Sequence, residues 1–403
     1  MAHSGHINRL DGFEDVPAGM MRSFTIGQIL GVDVKVHPTF ALVLLWVVYE
    51  WGGRSEGFAA LVFGLVLVGL VFGCVVLHEL GHAIMAQHFG IRVHDITLVP
   101  IGGVARIEQN PTTTASEILI ALAGPAVNVA IAMALLPIIA LLGVARGFDS
   151  FGVYLTDPTI AAPAGLLIYL LATNVMLVLF NLLPAFPLDG GRVLRASLLR
   201  YTDRERATAI AVMIAQVIAV TLAGLGVWYK DFGLPVIAVF ILVGAWAESR
   251  AVRVEAAMHR LRVGQFALWD HGGLPPDQSL SRALTGGPRD QVVTDGGKVV
   301  GMLWRHTLLH GLNGGAGSRQ VADLMDTEVP IVDIDESLYA VQRLMNDMNR
   351  WAIAVTEDGV YRGIFTAERF AHIYRQLTSP AEARTATPGV VGTVHAALRG
   401  LMR

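Results

Sequence analysis

The stretch VVLHELGHAIMAQHFG, residues 75–90, places ionisable side chains at the end of a long apolar run. These side chains are His78, Glu79 and His82. A charged side chain at the centre of a bilayer costs roughly 2.5–3.5 kcal/mol on insertion scales, so such groups usually mark a functional position. The stretch therefore predicts a membrane-spanning helix that ends in a functional site.

The composition of the whole chain agrees with a membrane location. Of the 403 residues, 53% are hydrophobic and only 16% are charged, whereas a soluble globular chain carries about 25% charged residues. Charges are sparse before about residue 248 and ordinary after it, which predicts a membrane domain followed by a water-soluble domain. The net charge of −3 provides no basic excess, so we expect no nucleic-acid partner. The single cysteine, Cys74, excludes an intrachain disulfide, and we interpret it as an apolar core residue.

Several long apolar runs predict the membrane spans. Four of them contain no charged residue, namely 57–77, 118–143, 161–188 and 207–229. Crossing about 30 Å of hydrocarbon takes roughly 20 residues, so these four suffice, whereas 232–247 is shorter and 38–49 would be marginal alone. The stretch before the latter, residues 24–37, alternates apolar and polar residues around a glycine and predicts a short strand pair or an interfacial segment.

The distribution of arginines sets the predicted orientation. Five of them lie between residue 188, the end of the run 161–188, and residue 207, the start of the run 207–229: Arg192, Arg195, Arg200, Arg204 and Arg206. The positive-inside rule makes that segment cytoplasmic, and a count of six spans then places both termini in the cytoplasm. Residues 1–23 contain acids and no apolar core, so we expect a cytoplasmic tail and not a cleaved signal peptide. The predicted fold class is an α-helical protein of the cytoplasmic membrane with six transmembrane helices and a short β element.

The spacing of the two histidines predicts a metal site. Residues i and i+4 lie on one face of a helix, so His78 and His82 can bind one ion, and Glu79 beside them can take a proton from a water that the metal polarises. Catalytic zinc usually has three protein ligands and an open position. The acid best placed to be the third is Asp189 in NLLPAFPLDGGR, residues 181–192, where Pro184 and Pro187 interrupt the helix. Broken backbone at membrane depth is tolerable only against protein or a wet cavity, so this segment predicts a cavity wall.

With these motifs, the chain resembles the site-2 protease family of intramembrane zinc metalloproteases. The resemblance rests on His78-Glu79-Leu80-Gly81-His82, on NLLPAFPLDGG and on AGPAVN at 123–128, and it extends from about residue 24 to 377. It implies one Zn²⁺ per chain, held by His78, His82 and Asp189, with Glu79 as the general base. The membrane protease domain is expected at residues 24–250.

The resemblance also suggests that Asn181 or Asn128 assists near the substrate carbonyl, where a developing oxyanion needs donors. Alternatives stay open for both residues. Asn181 can instead bond the backbone of the broken helix, and Asn128, like Asn174, can bond a neighbouring helix.

The segment that follows the helix of His78 and His82 is a candidate for substrate binding. A peptide in a transmembrane helix has its backbone bonded to itself, which hinders attack, and pairing the unwound peptide with a strand edge would solve this. Residues 91–107 are rich in β-formers and predict a strand or hairpin near the site. Gly102 and Gly103 would allow close approach of the substrate backbone. A plain connecting hairpin is the alternative.

The C-terminal part repeats itself with a period near sixty residues. Residues 263–284 align with 321–345, and each copy predicts strand, helix, strand, turn and strand, with turns at Asp295-Gly296 and Asp358-Gly359. This pattern resembles a tandem pair of CBS modules at about 254–315 and 318–377, followed by a linker and short tail helix at 378–403.

The resemblance to CBS pairs implies an adenine nucleotide ligand, but the acid that the family shows near the ribose is missing. Thr366 is followed by Arg369, and the first copy has Trp304 and Thr307 at the matching positions. A docking or dimerisation module, giving a homodimer, is therefore an equally good interpretation.

Together, these features predict an intramembrane zinc endopeptidase that cuts membrane-anchored protein substrates, including regulators of transcription by family analogy. A transporter with a regulatory tail is one alternative, although transporters commonly show broken helices in corresponding positions of two repeats and only one acid-bearing broken segment occurs here. An inactive membrane scaffold is the other, and an intact Glu79 argues against it.

Overall fold

The computed structural model describes residues 23–52, 58–100, 102–107, 113–146, 163–270, 272–285 and 289–378. Its chain divides into two compact units, Met1–Ser249 and Arg250–Arg403. The expected N-terminal tail up to residue 22 and the expected linker and tail helix from residue 379 lie outside the described residues.

The first unit contains a four-stranded sheet. Its strands, in spatial order, are β1 (Phe24–Ile29), β2 (Val32–Val36), β3 (Val93–Val99) and β4 (Gly102–Ile107). The first and last pairs are antiparallel, and β2 and β3 run parallel. Leu30 and Gly31 have φ values of 51° and 80°, as a tight hairpin turn requires. Of the two alternatives for the N-terminal stretch, the strand pair is thus present, and β3 and β4 form a hairpin, one of the two forms expected for the segment after the histidine-bearing helix.

Seven α-helices lie within the described residues from Ala41 to Arg260, and all but the short, polar Asp189–Leu198 follow the apolar runs. They are α1 (Ala41–Gly52), α2 (Phe58–His88), α3 (Thr114–Arg146), α4 (Pro163–Asn181), α5 (Asp189–Leu198), α6 (Arg204–Tyr229) and α7 (Gly233–Arg260). Among the described residues, four of these are long and apolar enough to cross a membrane: α2, α3, α6 and α7. The apolar helices at Pro38–Gly52 and Gly165–Asn181 are shorter, so the count of six spans stays a prediction.

The C-terminal half of α2 is held between the sheet and α3. Leu80, Ala83 and Ala86 are buried against residues of the sheet and against Ile120 of α3. The helix ends where Gly90 takes a φ of 75° and the amide of Ile91 bonds back to the carbonyl of Ala86 at 3.0 Å. This left-handed end turns the chain directly into the strand that packs beneath the helix.

The apolar run at residues 161–188 is interrupted, as its prolines at 184 and 187 predicted, and its helix ends three residues before the first of them. Helix α4 ends at Asn181, and Asp189 is the first residue of the separate helix α5. Proline at 184 and 187 cannot donate to a helical ladder, and Ala185 and Phe186 between them are buried against small residues of α6 and α7. The polar start of α5 is thereby fixed at the depth of the apolar core.

The second unit is an α/β region with two sheets. One sheet has the order β5 (Leu268–Trp269), β10 (Val360–Thr366), β9 (Ala352–Glu357) and β8 (Ile331–Asp333), and β6 (Gln291–Asp295) pairs with β7 (Lys298–Leu303) in the other. The helices are α8 (Leu280–Ala283), α9 (Arg305–Asn313), α10 (Leu338–Asp347) and α11 (Ala367–Thr378). Both copies therefore show the predicted order of elements.

One of the two hairpin turns of this unit lies one position away from the predicted turn. In the second copy Asp358 and Gly359 have positive φ, as predicted. In the first copy the turn lies at Gly296-Gly297 and not at Asp295-Gly296, since Asp295 pairs with Lys298 in the ladder. Glycine adopts positive φ without the steric cost that aspartate would meet, so the turn forms at the two glycines.

Candidate metal centre

His78 and His82 present their imidazoles on one buried face of α2. Their side chains are 6% and 5% exposed, and the two Nε2 atoms are 3.1 Å apart. The helix supplies this geometry because four residues advance about one turn. The expected histidine pair is therefore in place before any other element contributes.

Asp189 completes the group from α5. Its Oδ2 atom lies 3.2 Å from each Nε2, and these three residues form the group that could hold a metal ion among the described parts of the chain. Zinc bonds of about 2.0–2.2 Å would place neighbouring ligand atoms about 3.3–3.6 Å apart. The three atoms lie 3.1–3.2 Å apart, slightly closer than this, so His78, His82 and Asp189 could hold one ion together after a small outward shift.

The hydrogen bonds on the far side of each ring determine which nitrogen faces Asp189. Nδ1 of His82 lies 2.7 Å from the carbonyl oxygen of Ile120, which can only accept, so Nδ1 carries the proton. Nδ1 of His78 lies 2.5 Å from Oδ1 of Asn128 and donates in the same way. Both Nε2 atoms then carry lone pairs, and the buried Oδ2 of Asp189 has no hydrogen-bond donor. Three acceptors that converge in a buried place fit a cation.

Small residues of α3 make room for this cluster. A Cβ atom on Gly124 would lie 2.2 Å from Nε2 of His82 and 2.7 Å from Nε2 of His78. A Cβ on Gly81 would lie 2.8 Å from the carbonyl oxygen of Ala123. The glycine of AGPAVN, Gly124, is therefore required because the site leaves no room for a side chain at this position. The run of small residues was visible in the sequence, but this steric requirement was not.

Glu79 lies beside the histidines and beneath the hairpin. A Cβ on Gly103 would lie 2.5 Å from Cγ and 3.2 Å from Oε1 of Glu79, so strand β4 passes directly over this side chain. Gly102 has a φ of 146° and open space around it. Among the described strands β4 pairs with β3 alone, so its other edge is unpaired within this sheet.

The two asparagines differ in what they contact. Asn128 is fully buried; besides accepting from His78 it donates through Nδ2 to Oδ1 of Asn174 at 2.8 Å. Asn181, at the end of α4, is partly exposed, and its side chain makes no hydrogen bond within the described residues. Asn128 thus contacts His78, whereas the side-chain amide of Asn181 has no hydrogen-bond partner among the described residues. Cys74 lies in an apolar cluster, as interpreted.

The second unit contains a cavity of about 500 Å³. Trp269, Trp351 and Tyr361 line it together with arginines and acids, and Asp290 anchors one wall by accepting from Nε1 of Trp351 at 2.7 Å. Arg369, at the position of the missing ribose acid, donates instead to the carbonyl oxygen of Phe266 at 3.1 Å.

Two family models match the chain. The model of peptidase family M50 matches residues 66–163 and 157–225, and the CBS domain model matches residues 321–375. The M50 matches contain the two histidines, Asn128 and Asp189, and the CBS match contains the second copy of the C-terminal repeat.

Named relatives agree with these matches. Zinc metalloprotease MJ0392 of Methanocaldococcus jannaschii is 32% identical over 352 residues, which cover 86% of this chain and 94% of the relative. Stage IV sporulation protein FB of Bacillus subtilis is 26% identical over 166 residues, 40% of this chain and 46% of the relative. Among solved structures, the site-2 protease from Methanocaldococcus jannaschii is 33% identical and covers 57% of this chain and 95% of its own, with a TM-score of 0.43.

Proposed function

Because the chain belongs to peptidase family M50, the site-2 proteases, we propose that it is a zinc endopeptidase that cuts membrane-anchored proteins within or near the bilayer. The observation that carries the proposal is the convergence of His78, His82 and Asp189 beside Glu79, with both histidines on a helix that is long and apolar enough to cross a membrane. The acceptor geometry of these ligands and the space left by Gly124 support zinc as the cofactor.

The chemistry divides between the metal and the side chains around it. Zinc, when bound, supplies Lewis acidity that brings the pKa of water to about 7 and polarises a carbonyl. His78, His82 and Asp189 would hold the ion. Glu79 takes the proton of the attacking water and delivers it to the leaving amine, as a general base that becomes a general acid. Asn181, whose amide has no other partner among the described residues, donates to the developing oxyanion.

The edge of β4 is the proposed place for the substrate backbone. A peptide must leave the helical conformation to be cut, since helical carbonyls are bonded within the helix. Addition of the unwound segment to β4 would restore its hydrogen bonds. The absence of a side chain at Gly103 keeps that segment close to Glu79, and Gly102 adds open space at the start of the strand.

We propose a multi-pass protein of the cytoplasmic membrane with both termini in the cytoplasm. The cluster of arginines around α5 and the start of α6 supports this orientation. In the C-terminal part, the tandem CBS arrangement at 254–315 and 318–377 is likewise a proposal, supported by the repeated order of elements. A nucleotide in its cavity and a homodimer through it stay predictions.

The proposal is tested by zinc content and cleavage on the purified full-length protein. We expect about one zinc per chain in the wild type and loss of most of it in Asp189→Ala, because two ligands rarely hold catalytic zinc. Glu79→Gln should retain zinc and lose at least about a hundredfold in cleavage of an unfolded, membrane-anchored reporter, since an amide cannot accept the proton.

The matched control is Asp203→Ala, which removes an exposed aspartate at the start of α6. It should keep both zinc and activity. Cleavage by Glu79→Gln at the wild-type rate would disprove the mechanism, and a wild type without zinc would favour the scaffold. A transporter would keep its activity in Glu79→Gln.

A further inference from the structure

A chain of buried hydrogen bonds leads from the main chain of α4 to a proposed zinc ligand. Nδ2 of Asn174 donates to the carbonyl oxygen of Leu170 at 2.8 Å. Oδ1 of Asn174 accepts from Nδ2 of Asn128 at 2.8 Å, and Oδ1 of Asn128 accepts from Nδ1 of His78. Asn128 and Asn174 are both 0% exposed, so bulk solvent does not compete for these hydrogen bonds. The proposed mechanism assigns no role to Asn174.

The direction of every bond in this chain follows from its first member. A main-chain carbonyl can only accept, so the group of Asn174 that faces Leu170 must be the NH₂. The oxygen of Asn174 then faces Asn128 and requires the NH₂ of that residue. The oxygen of Asn128 is left to face His78, whose Nδ1 must donate, and Nε2 is thereby left with the lone pair that binds a metal.

The second histidine obtains the same state without a relay. Nδ1 of His82 bonds directly to the carbonyl oxygen of Ile120 at 2.7 Å. Both rings are therefore set by a main-chain carbonyl, one directly and the other through two amides. An amide side chain can rotate by 180° and exchange its oxygen and nitrogen, so the relay holds His78 only while Asn174 holds Asn128.

We propose that Asn174 is a positioning residue of the zinc centre: by fixing the orientation of the Asn128 amide, it keeps Nε2 of His78 free to bind the ion. The inference rests on the proposed zinc site. It differs from a role in helix packing, which would affect stability without a particular effect on one ligand. Removal of Asn174 allows the NH₂ of Asn128 to face His78, whose Nδ1 must then accept and whose Nε2 is then protonated.

The test is zinc affinity of the full-length protein in detergent, measured by competition with a chelator, together with the visible spectrum of the cobalt-substituted protein. Asn174→Ala should lower zinc affinity by about 10- to 100-fold, the usual effect of losing an outer hydrogen-bond partner of a metal ligand. Asn174→Ser is the milder second variant, since a serine can bond the carbonyl four residues back but is too short to reach Asn128. It should lower the affinity in the same way and change the cobalt spectrum.

Rescue separates positioning from packing. In Asn128→Asp, either carboxylate oxygen accepts from His78, so the orientation no longer depends on Asn174. Zinc affinity of Asn128→Asp/Asn174→Ala should therefore return to within about threefold of the wild type, as for a carboxylate that supports a histidine ligand. The control Cys74→Ala removes the other contact of the Asn174 amide, at 3.3 Å from Sγ, and should leave zinc affinity unchanged.

Wild-type zinc affinity in folded Asn174→Ala and Asn174→Ser, or a loss that Asn128→Asp does not rescue, would overturn the role of Asn174 and leave the zinc centre intact. Absence of zinc from the wild type would overturn both.

Discussion

Two glycines lie against the ionisable residues of α2, and neither leaves room for a side chain. Gly124 faces the Nε2 atoms of His78 and His82, the proposed metal ligands, whereas Gly103 faces Glu79, the proposed general base. The two contacts belong to different parts of the same site. Substitution of each glycine should therefore separate metal binding from catalysis.

We expect Gly124→Ala to lower zinc affinity, because its Cβ would lie 2.2 Å from Nε2 of His82 and the ring must move. Gly103→Ala should keep zinc but lower cleavage by about 10- to 100-fold, because Glu79 is displaced and misplacement of 1 Å can cost about a hundredfold. Zinc content and cleavage rate on each variant check this. Gly73→Ala is the control, since a Cβ at this α2 position meets no atom within 4 Å. Equal zinc loss in the first two variants would contradict the assignment.

At the scale of elements, a buried ion pair holds the helix that carries Asp189. Arg195 of α5 is 5% exposed and donates from Nε to Glu117 of α3 at 2.8 Å. It also bonds Glu248 of α7 and lies over the ring of Phe186, with 5.1 Å from Cζ to the ring centroid. Three helices and the broken segment therefore meet at one guanidinium.

Arg195→Met should strongly destabilise the membrane unit. It leaves Glu117, which is 4% exposed, as a buried charge without its partner, and breaking a buried pair in this way costs about 3–5 kcal/mol. Unfolding in mixed detergent or by heat measures the loss. Arg206→Met, which removes an exposed pair with Asp203, should cost under about 1 kcal/mol. Similar losses in both variants would show that the buried pair has no special weight.

At the scale of the whole molecule, the three proposed zinc ligands all belong to the unit Met1–Ser249. A bound ion stabilises the folded state that binds it, by about 4 kcal/mol at a free concentration a thousandfold above Kd. Removal of zinc should therefore loosen the elements that supply ligands.

Hydrogen exchange with and without a chelator measures this effect. We expect faster exchange in residues 75–90 and 182–198 after zinc removal, with no change at residues 352–366 of the second unit. The Asp189→Ala protein should respond to the chelator in neither region. Uniformly faster exchange across the wild type would instead indicate global unfolding and contradict a local stabilising role.

Features that depend on residues close together in the chain could be predicted from the sequence alone. The apolar runs predicted the long helices because a membrane requires length and hydrophobicity. The i, i+4 spacing placed His78 and His82 on one face, and the prolines at 184 and 187 marked a break. The pattern of alternating elements in the C-terminal part also followed from local signals.

Contacts between residues on different helices and strands are visible only in the tertiary structure. The distance between Asp189 and the histidines, the contact of Gly103 with Glu79, and the relay from Asn174 through Asn128 each join residues far apart in the chain. A sequence pattern fixes the periodicity of one segment but not the rotation and depth at which two segments pack. For that reason the sequence alone could not distinguish Asn128 from a catalytic donor. It likewise could not show that Asn174 contacts Asn128, because this contact is visible only when α2, α3 and α4 are seen together.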